Sequence, residues 1–124
     1  MSRIGRVIHA GNRRVLLSRV RWCSSFMCKL RGLMFRRALH PGEGLILVEL
    51  RPSRTATAIH MLFVPFAIAV VWLDDNFKVV DTRLARPWRP FYAPAAPARY
   101  TLEAAPDLLN QVRPGDTLAF EPGG

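Results

Sequence analysis

The run Ala58–Leu73 reads AIHMLFVPFAIAVVWL, and how it folds decides the architecture. No Asp, Glu, Lys or Arg interrupts it, and Asp74, Asp75 and Asn76 close it. It is too short for a membrane-spanning helix, which needs about 20 mostly apolar residues. It also carries His60 and a central Pro65. Proline inside a helix removes a hydrogen bond and clashes with the preceding turn. Two buried strands are therefore expected, Ala58–Val64 and Ala67–Asp74, with Pro65-Phe66 as the bend. The second is rich in β-branched and aromatic residues, Ile68, Val70, Val71 and Trp72, as strands are. It lacks apolar/polar alternation, which predicts burial on both faces. Asp75-Asn76 is a turn in which both residues tolerate positive φ. Phe77–Thr82 (FKVVDT) returns as the partner strand, which places a hairpin at the centre of a sheet.

Outward from this core, Arg6–Ala10 and Arg14–Arg21 form a first hairpin around the turn pair Gly11-Asn12. Ser24 or Ser25 caps a short helix whose apolar face is Phe26, Leu30, Leu33 and Met34. Gly32 ends its first segment, and Leu33–Leu39 continues as a turn or second short helix. Pro41–Gly44 is a turn, Leu45–Leu50 a buried strand and Arg51–Thr57 a polar connection. Beyond the central hairpin, the proline-rich Arg86–Pro97 (RPWRPFYAPAAP) cannot pair as a central strand and reads as a long ordered loop. Arg99–Ala104 alternates, with Tyr100 and Leu102 inward. Pro106 opens a short helix, Asp107–Val112. Pro114-Gly115 is a type II turn, and Asp116–Phe120 is the last strand. The fold class expected is mainly β: a small β-barrel or jelly-roll-like sandwich with one or two short helices, residues 1–124 forming one domain.

Formal net charge is +9 and nearly every base is Arg. Residues 1–54 hold 12 Lys/Arg against 2 acids, a net of +10, whereas residues 55–124 hold 6 against 7, a net of −1. A basic half attracts polyanions; a GC-rich coding sequence produces the same bias with no function attached, and charge alone gives only non-specific affinity. Cys23 and Cys28 are five apart. On a helix they would point to different faces and could not easily bridge, so two thiols in a reducing compartment are expected. His9, His40 and His60 are scattered, and no zinc spacing, phosphate loop or dinucleotide fingerprint is present. No cofactor is implied. The basic start is not followed by an apolar signal segment, which points to the cytoplasm.

Several motifs occur together in order: Arg31-Gly32-Leu33-Met34-Phe35-Arg36, Gly42-Glu43-Gly44-Leu45, Ile59-His60-Met61 through Trp72-Leu73-Asp74, Ala98-Arg99-Tyr100-Thr101-Leu102-Glu103, and Val112-Arg113-Pro114-Gly115-Asp116. On these the chain resembles the bacterial and archaeal family designated domain of unknown function 192. The resemblance implies a compact β-barrel or jelly-roll-like domain and no established reaction. Where the family often has Pro-Ile/Leu-Asp after the central aromatics, this chain has Ala67, Ile68 and Ala69, so an acidic group there is missing. Many members begin with a signal peptide or lipoprotein start, and none is expected here.

The candidate binding residues are Arg31, Met34, His60, Arg86, Trp88, Arg89 and Tyr92. His60 titrates near neutrality and can act as a base or ligand, or serve as a hydrogen-bonded core or rim residue; no nucleophile is placed beside it, and no catalytic residue is assigned. The fork of Arg31 matches an anion or carboxylate, or it pins the helix to the barrel by pairing with an acid. Met34 is a core filler by default. Trp88 and Tyr92, with Phe91, Arg86 and Arg89, mix aromatic and basic groups in a way that suits stacking on bases; alternatively the rings anchor the loop. Glu49, Asp81, Glu103 and Asp116 could supply a carboxylate pair. The composite expectation is a binding or accessory module for an anionic partner, nucleic acid or acidic protein. The rival is a small ligand-binding barrel or enzyme with a pocket around His60 and Arg31. A third possibility is an interaction protein docking through an exposed patch around Trp88.

Overall fold

The computed structural model describes residues 3–25, 28–29, 33, 38–61, 64–89 and 91–123. Seven strands form one sheet: β1 (Arg3–His9), β2 (Val15–Cys23), β3 (Glu43–Ser53), β4 (Ile68–Leu73), β5 (Val79–Ala85), β6 (Ala98–Ala104) and β7 (Leu118–Pro122). Their order is β5-β4-β6-β3-β2-β1-β7. The fold is mainly β, as the sequence implies. The sheet curls without closing along its length. Its end strands β5 and β7 are joined at one end by a bridge between Lys78 and Thr117, supported by Val79 N–H donating to Asp116 O (2.8 Å).

Each face of the sheet carries its own core. On the inner face Ala69, Val71 and Leu73 of β4 meet Tyr100, Leu102 and Ala104 of β6, together with Val7, Leu17, Val20 and Ile46. Leu108, from a short 3-10 helix (Pro106–Asn110), and Val112 fill this core further. On the outer face Ile68, Val70 and Trp72 alternate with them and pack with Leu45, Ala98, Ile59, Met61 and Val64. All six residues of β4 are buried. That double burial is the physical reason alternation is absent from its sequence.

The outer layer follows from one pairing. β2 and β3 run parallel, and parallel neighbours need a crossover rather than a tight turn. The segment between Cys23 and Glu43 supplies it, and Cys28, Leu33 and Leu39 pack into the outer core. Ser25 is the capping residue: its Oγ accepts the Cys28 N–H at 3.2 Å, and its carbonyl accepts the Lys29 N–H at 3.0 Å. The expected helical face at Phe26, Leu30 and Met34, with Gly32, lies outside the described residues.

Several expectations are corrected. Ala58–Val64 is not a strand of the sheet; among its described residues only Ile59 makes a bridge, to Tyr92 of the loop. The β4–β5 hairpin exists, but it forms one end of the sheet rather than its centre. In its turn the positive φ falls on Phe77 (61°), not on Asp75 or Asn76. Asp74 Oδ1 accepts the N–H groups of Asn76 (2.8 Å) and Lys78 (3.0 Å), which fixes the loop and leaves the left-handed position to the residue between. Gly115 does take positive φ (99°), as its type II turn requires. Cys23 and Cys28 are a disulfide, not two thiols. Cys23 is the last residue of β2 rather than part of a helix, so the two Cα atoms come within 5.7 Å, inside bridging range. No helix among the described residues is long and apolar enough to cross a membrane.

Candidate functional site

Four of the residues singled out in the sequence share one surface. Ile59 and Tyr92 exchange both backbone bonds, each N–H donating to the other's carbonyl at 2.8 Å. Met61 N–H donates to Arg89 O (2.8 Å), and Trp88 N–H donates to Met61 O (2.9 Å). Residues 59–61 on one side and 88, 89, 91 and 92 on the other therefore make a short two-stranded ribbon over the outer core. Its alternation is simple: Ile59 and Met61 are buried and His60 between them is exposed. By that register His60 lies opposite Phe91, which is 65% exposed. Trp88 is 55% exposed and holds a left-handed backbone (φ 65°), uncommon for a bulky residue and found most often at functional or strained positions.

Tyr92 has a different role from its neighbours. Its ring packs on the outer core, its hydroxyl accepts the Arg86 N–H at 2.9 Å, and the Arg83 guanidinium lies 5.9 Å over its face. Tyr92 thus anchors the loop, while Trp88 and Phe91 face solvent. The loop is further held by Asp81, whose Oδ2 accepts the Ala95 N–H (2.9 Å), and by Arg54 Nε donating to Pro94 O (3.1 Å). Beneath it the Trp72 indole N–H donates to Thr57 O at 2.8 Å, tying the connection before Ile59 to the sheet. Arg86 and Arg89 are exposed and enter no ion pair among the described residues. Arg31 and Met34 lie outside the described residues.

Arg3, Arg6, Arg13, Arg19 and Arg21 do not join this surface. Arg6 and Arg13 both pair with Glu121, at 2.7 and 3.0 Å, and the Arg6 hydrogen bond holds the Glu121 carboxyl below its ordinary range. Arg3 stacks 4.9 Å over Trp22. Arg19 and Arg21 stand on β2, separated from β4 by β3 and β6.

One buried acid stands apart. Glu103 is 5% exposed, and burial pushes its carboxyl up to about 7. It sits mid-sheet on the outer face, in a row that runs Arg21, Leu45, Glu103, Val70, Arg83 across β2, β3, β6, β4 and β5. Its immediate neighbours are apolar, and the two arginines are two strand spacings away, about 10 Å. None of the ion pairs among the described residues involves it. In sequence Glu103 is one carboxylate of four candidates; the signal that sets it apart, the apolar identity of both strand neighbours, requires the register. Among the described residues no group of three or more His, Cys, Asp or Glu could hold a metal.

Comparison with known proteins places the chain. A UPF0127 protein of Pyrococcus horikoshii is 37% identical over 103 residues, covering 82% of this chain and 86% of the relative. One of Thermococcus sibiricus is 36% identical over 112 residues, covering 87% and 70%. Two crystal structures share the fold. A protein of unknown function from Novosphingobium aromaticivorans superposes with a TM-score of 0.82 at 22% identity, over 94% of this chain and 84% of that one. A protein from Sinorhizobium meliloti, described as a candidate transcription regulator, gives 0.81 at 20% identity, over 97% and 94%. The profile of domain of unknown function 192, described as "Uncharacterized ACR", matches residues 7–120, and the chain belongs to that family.

Proposed function

We propose that the chain is a small binding module that engages an anionic, single-stranded nucleic acid across the ribbon of residues 59–61 and 86–92. The observation that carries this is the composition of the ribbon: residues 59–61, 86–89 and 91–92 include two arginines and no Asp or Glu. Within it, Trp88 and Phe91 offer exposed rings beside Arg86 and Arg89, which enter no ion pair among the described residues. Bases stack on such rings for about 1–3 kcal/mol each, and arginines follow the phosphates. The description of the Sinorhizobium relative as a candidate regulator of transcription fits the same partner class. The ribbon does not need Arg6 and Arg13, which share the single carboxylate of Glu121.

The test is fluorescence anisotropy with a labelled single-stranded oligonucleotide at low and moderate salt. The variant Arg86→Ala/Trp88→Ala/Arg89→Ala is expected to weaken binding at least tenfold and to flatten the salt dependence. Arg6→Ala/Arg13→Ala removes equal charge elsewhere and should bind as wild type. Equal losses in both variants would reduce the interaction to overall charge and overturn the proposal.

A further inference from the structure

A second concave surface lies at the end of the inner core, where the β4–β5 turn meets β7. Four rings gather there. Trp22 of β2 packs on Phe120 of β7 (centroids 4.9 Å, 46°) and on Tyr100 of β6 (5.7 Å, 54°), and Tyr100 packs on Phe77 (4.5 Å, 58°). Tyr100 is buried, but Trp22, Phe77 and Phe120 remain half-buried and line a concavity of about 420 Å³. That size lies in the range of small-ligand sites. Phe77 holds a left-handed backbone there (φ 61°), and Leu118 N–H donates to Phe77 O at 2.9 Å.

The rim decides what could occupy the site. Its polar members are the Arg3 guanidinium, the Asp75 carboxylate and the Asn76 side chain. Asp75 and Asn76 are exposed, and among the described residues Asp75 pairs only with Arg99, at the long distance of 3.9 Å. The Asn76 side chain makes no hydrogen bond among the described residues. One cation, one anion and one neutral amide give donors and acceptors without a net charge. A charged ligand would meet its own sign at one edge. A cation also finds the aromatic faces contested, because Arg3 covers Trp22 (4.9 Å) and Arg99 covers Tyr100 (5.2 Å). A neutral ligand meets no charge opposition, and the half-buried rings of Phe77 and Phe120, over which no cation lies among the described residues, leave it an apolar face. We infer that the Trp22–Phe77–Phe120 concavity binds a neutral sugar ring, its C–H face on the aromatic platform and its hydroxyls on Arg3, Asp75 and Asn76.

The test is titration of the full chain with cellobiose and with maltose, followed by amide and indole N–H chemical shifts. The expected result is a saturable shift of the Trp22 indole and the Asn76 amide, with a Kd of order 1 mM, suited to a shallow site and a small ligand. Asp75→Ala/Asn76→Ala alters exposed positions outside both cores and should weaken binding about tenfold. Glucuronate should bind more weakly than the neutral sugars. If none of these sugars gives a saturable shift at Trp22, or if the double variant binds unchanged, the inference fails. Shifts confined to Trp88 would place sugars on the ribbon instead and equally overturn it. Oligonucleotide binding reports on Trp88, so the two sites stand or fall separately.

Discussion

Glu103 shows how one residue can set the pH behaviour of a fold. Its carboxyl, ordinarily near 4.5, is raised to about 7 by burial. The unfolded chain therefore ionises first as pH rises. Stability is full below about 4.5, falls through the window between 4.5 and 7, and levels off above it. The loss is on the order of 3 kcal/mol, taking about 1.4 kcal/mol per unit. Glu103→Gln is expected to flatten that dependence and to be more stable than wild type at pH 8, as measured by urea unfolding across pH. Trp72→Phe keeps most of the ring packing but strips the hydrogen bond to Thr57 O; a loss of about 1 kcal/mol is expected by the same measurement. Single residues were hard to read from the chain alone. Ile59-His60-Met61 hides a period of two inside an apolar run, so the choice between core and rim for His60 stayed open until the structure placed it outward. Glu103 was not legible, because RYTLEA alternates as a half-exposed strand does, and only the outer layer from elsewhere in the chain buries its second face.

The same distinction between local and borrowed information holds for whole elements. β4 was readable because burial on both faces leaves its mark within six residues. The first hairpin was readable because Gly11-Asn12 marks its turn. Ala58–Val64 misled because an apolar run does not say what it packs against; here residues 59–61 lie over the outer core as half of a ribbon. The parallel β2–β3 pair was invisible, since nothing within either strand specifies a neighbour reached by crossover. The disulfide was missed for a related reason: the end of β2 had been given to a helix. That bridge ties β2 to the segment covering the outer core. Cys23→Ser/Cys28→Ser should lower stability by about 2 kcal/mol, the loop-closure entropy of a ring this small, and should speed exchange at Leu33 before the inner core. Gly5 is a further element-level constraint. A Cβ there would lie 2.3 Å from Glu121 O and 2.7 Å from the Phe120 ring. Gly5→Ala is expected to prise β1 from β7 at a cost of about 2–3 kcal/mol, read as a drop in midpoint on denaturant unfolding.

At the scale of the molecule, the sheet divides the work between its faces. The inner core joins strands from both halves of the chain, and the outer layer carries the connections, the ribbon and the disulfide. Most pairings are remote in sequence, so slow folding is expected relative to helical domains of this size. The open ends of the sheet lie at β5 and β7, joined only near Lys78 and Thr117. Native-state hydrogen exchange should therefore show β3 and β6 protected longest and the middle of β5 earliest to open. One further consequence follows from β1 lying between β2 and β7, with Gly5 opposite Pro122 and His9 opposite Leu118. β1 leaves the ribosome first and β7 last. During translation the β1–β2 hairpin must wait with one flank bare, and no amount of early compaction can finish the sheet. A translation-arrest reporter should register pulling force only once residues through Pro122 have cleared the exit tunnel, so that the last of the seven strands to emerge is the one that releases the first from waiting.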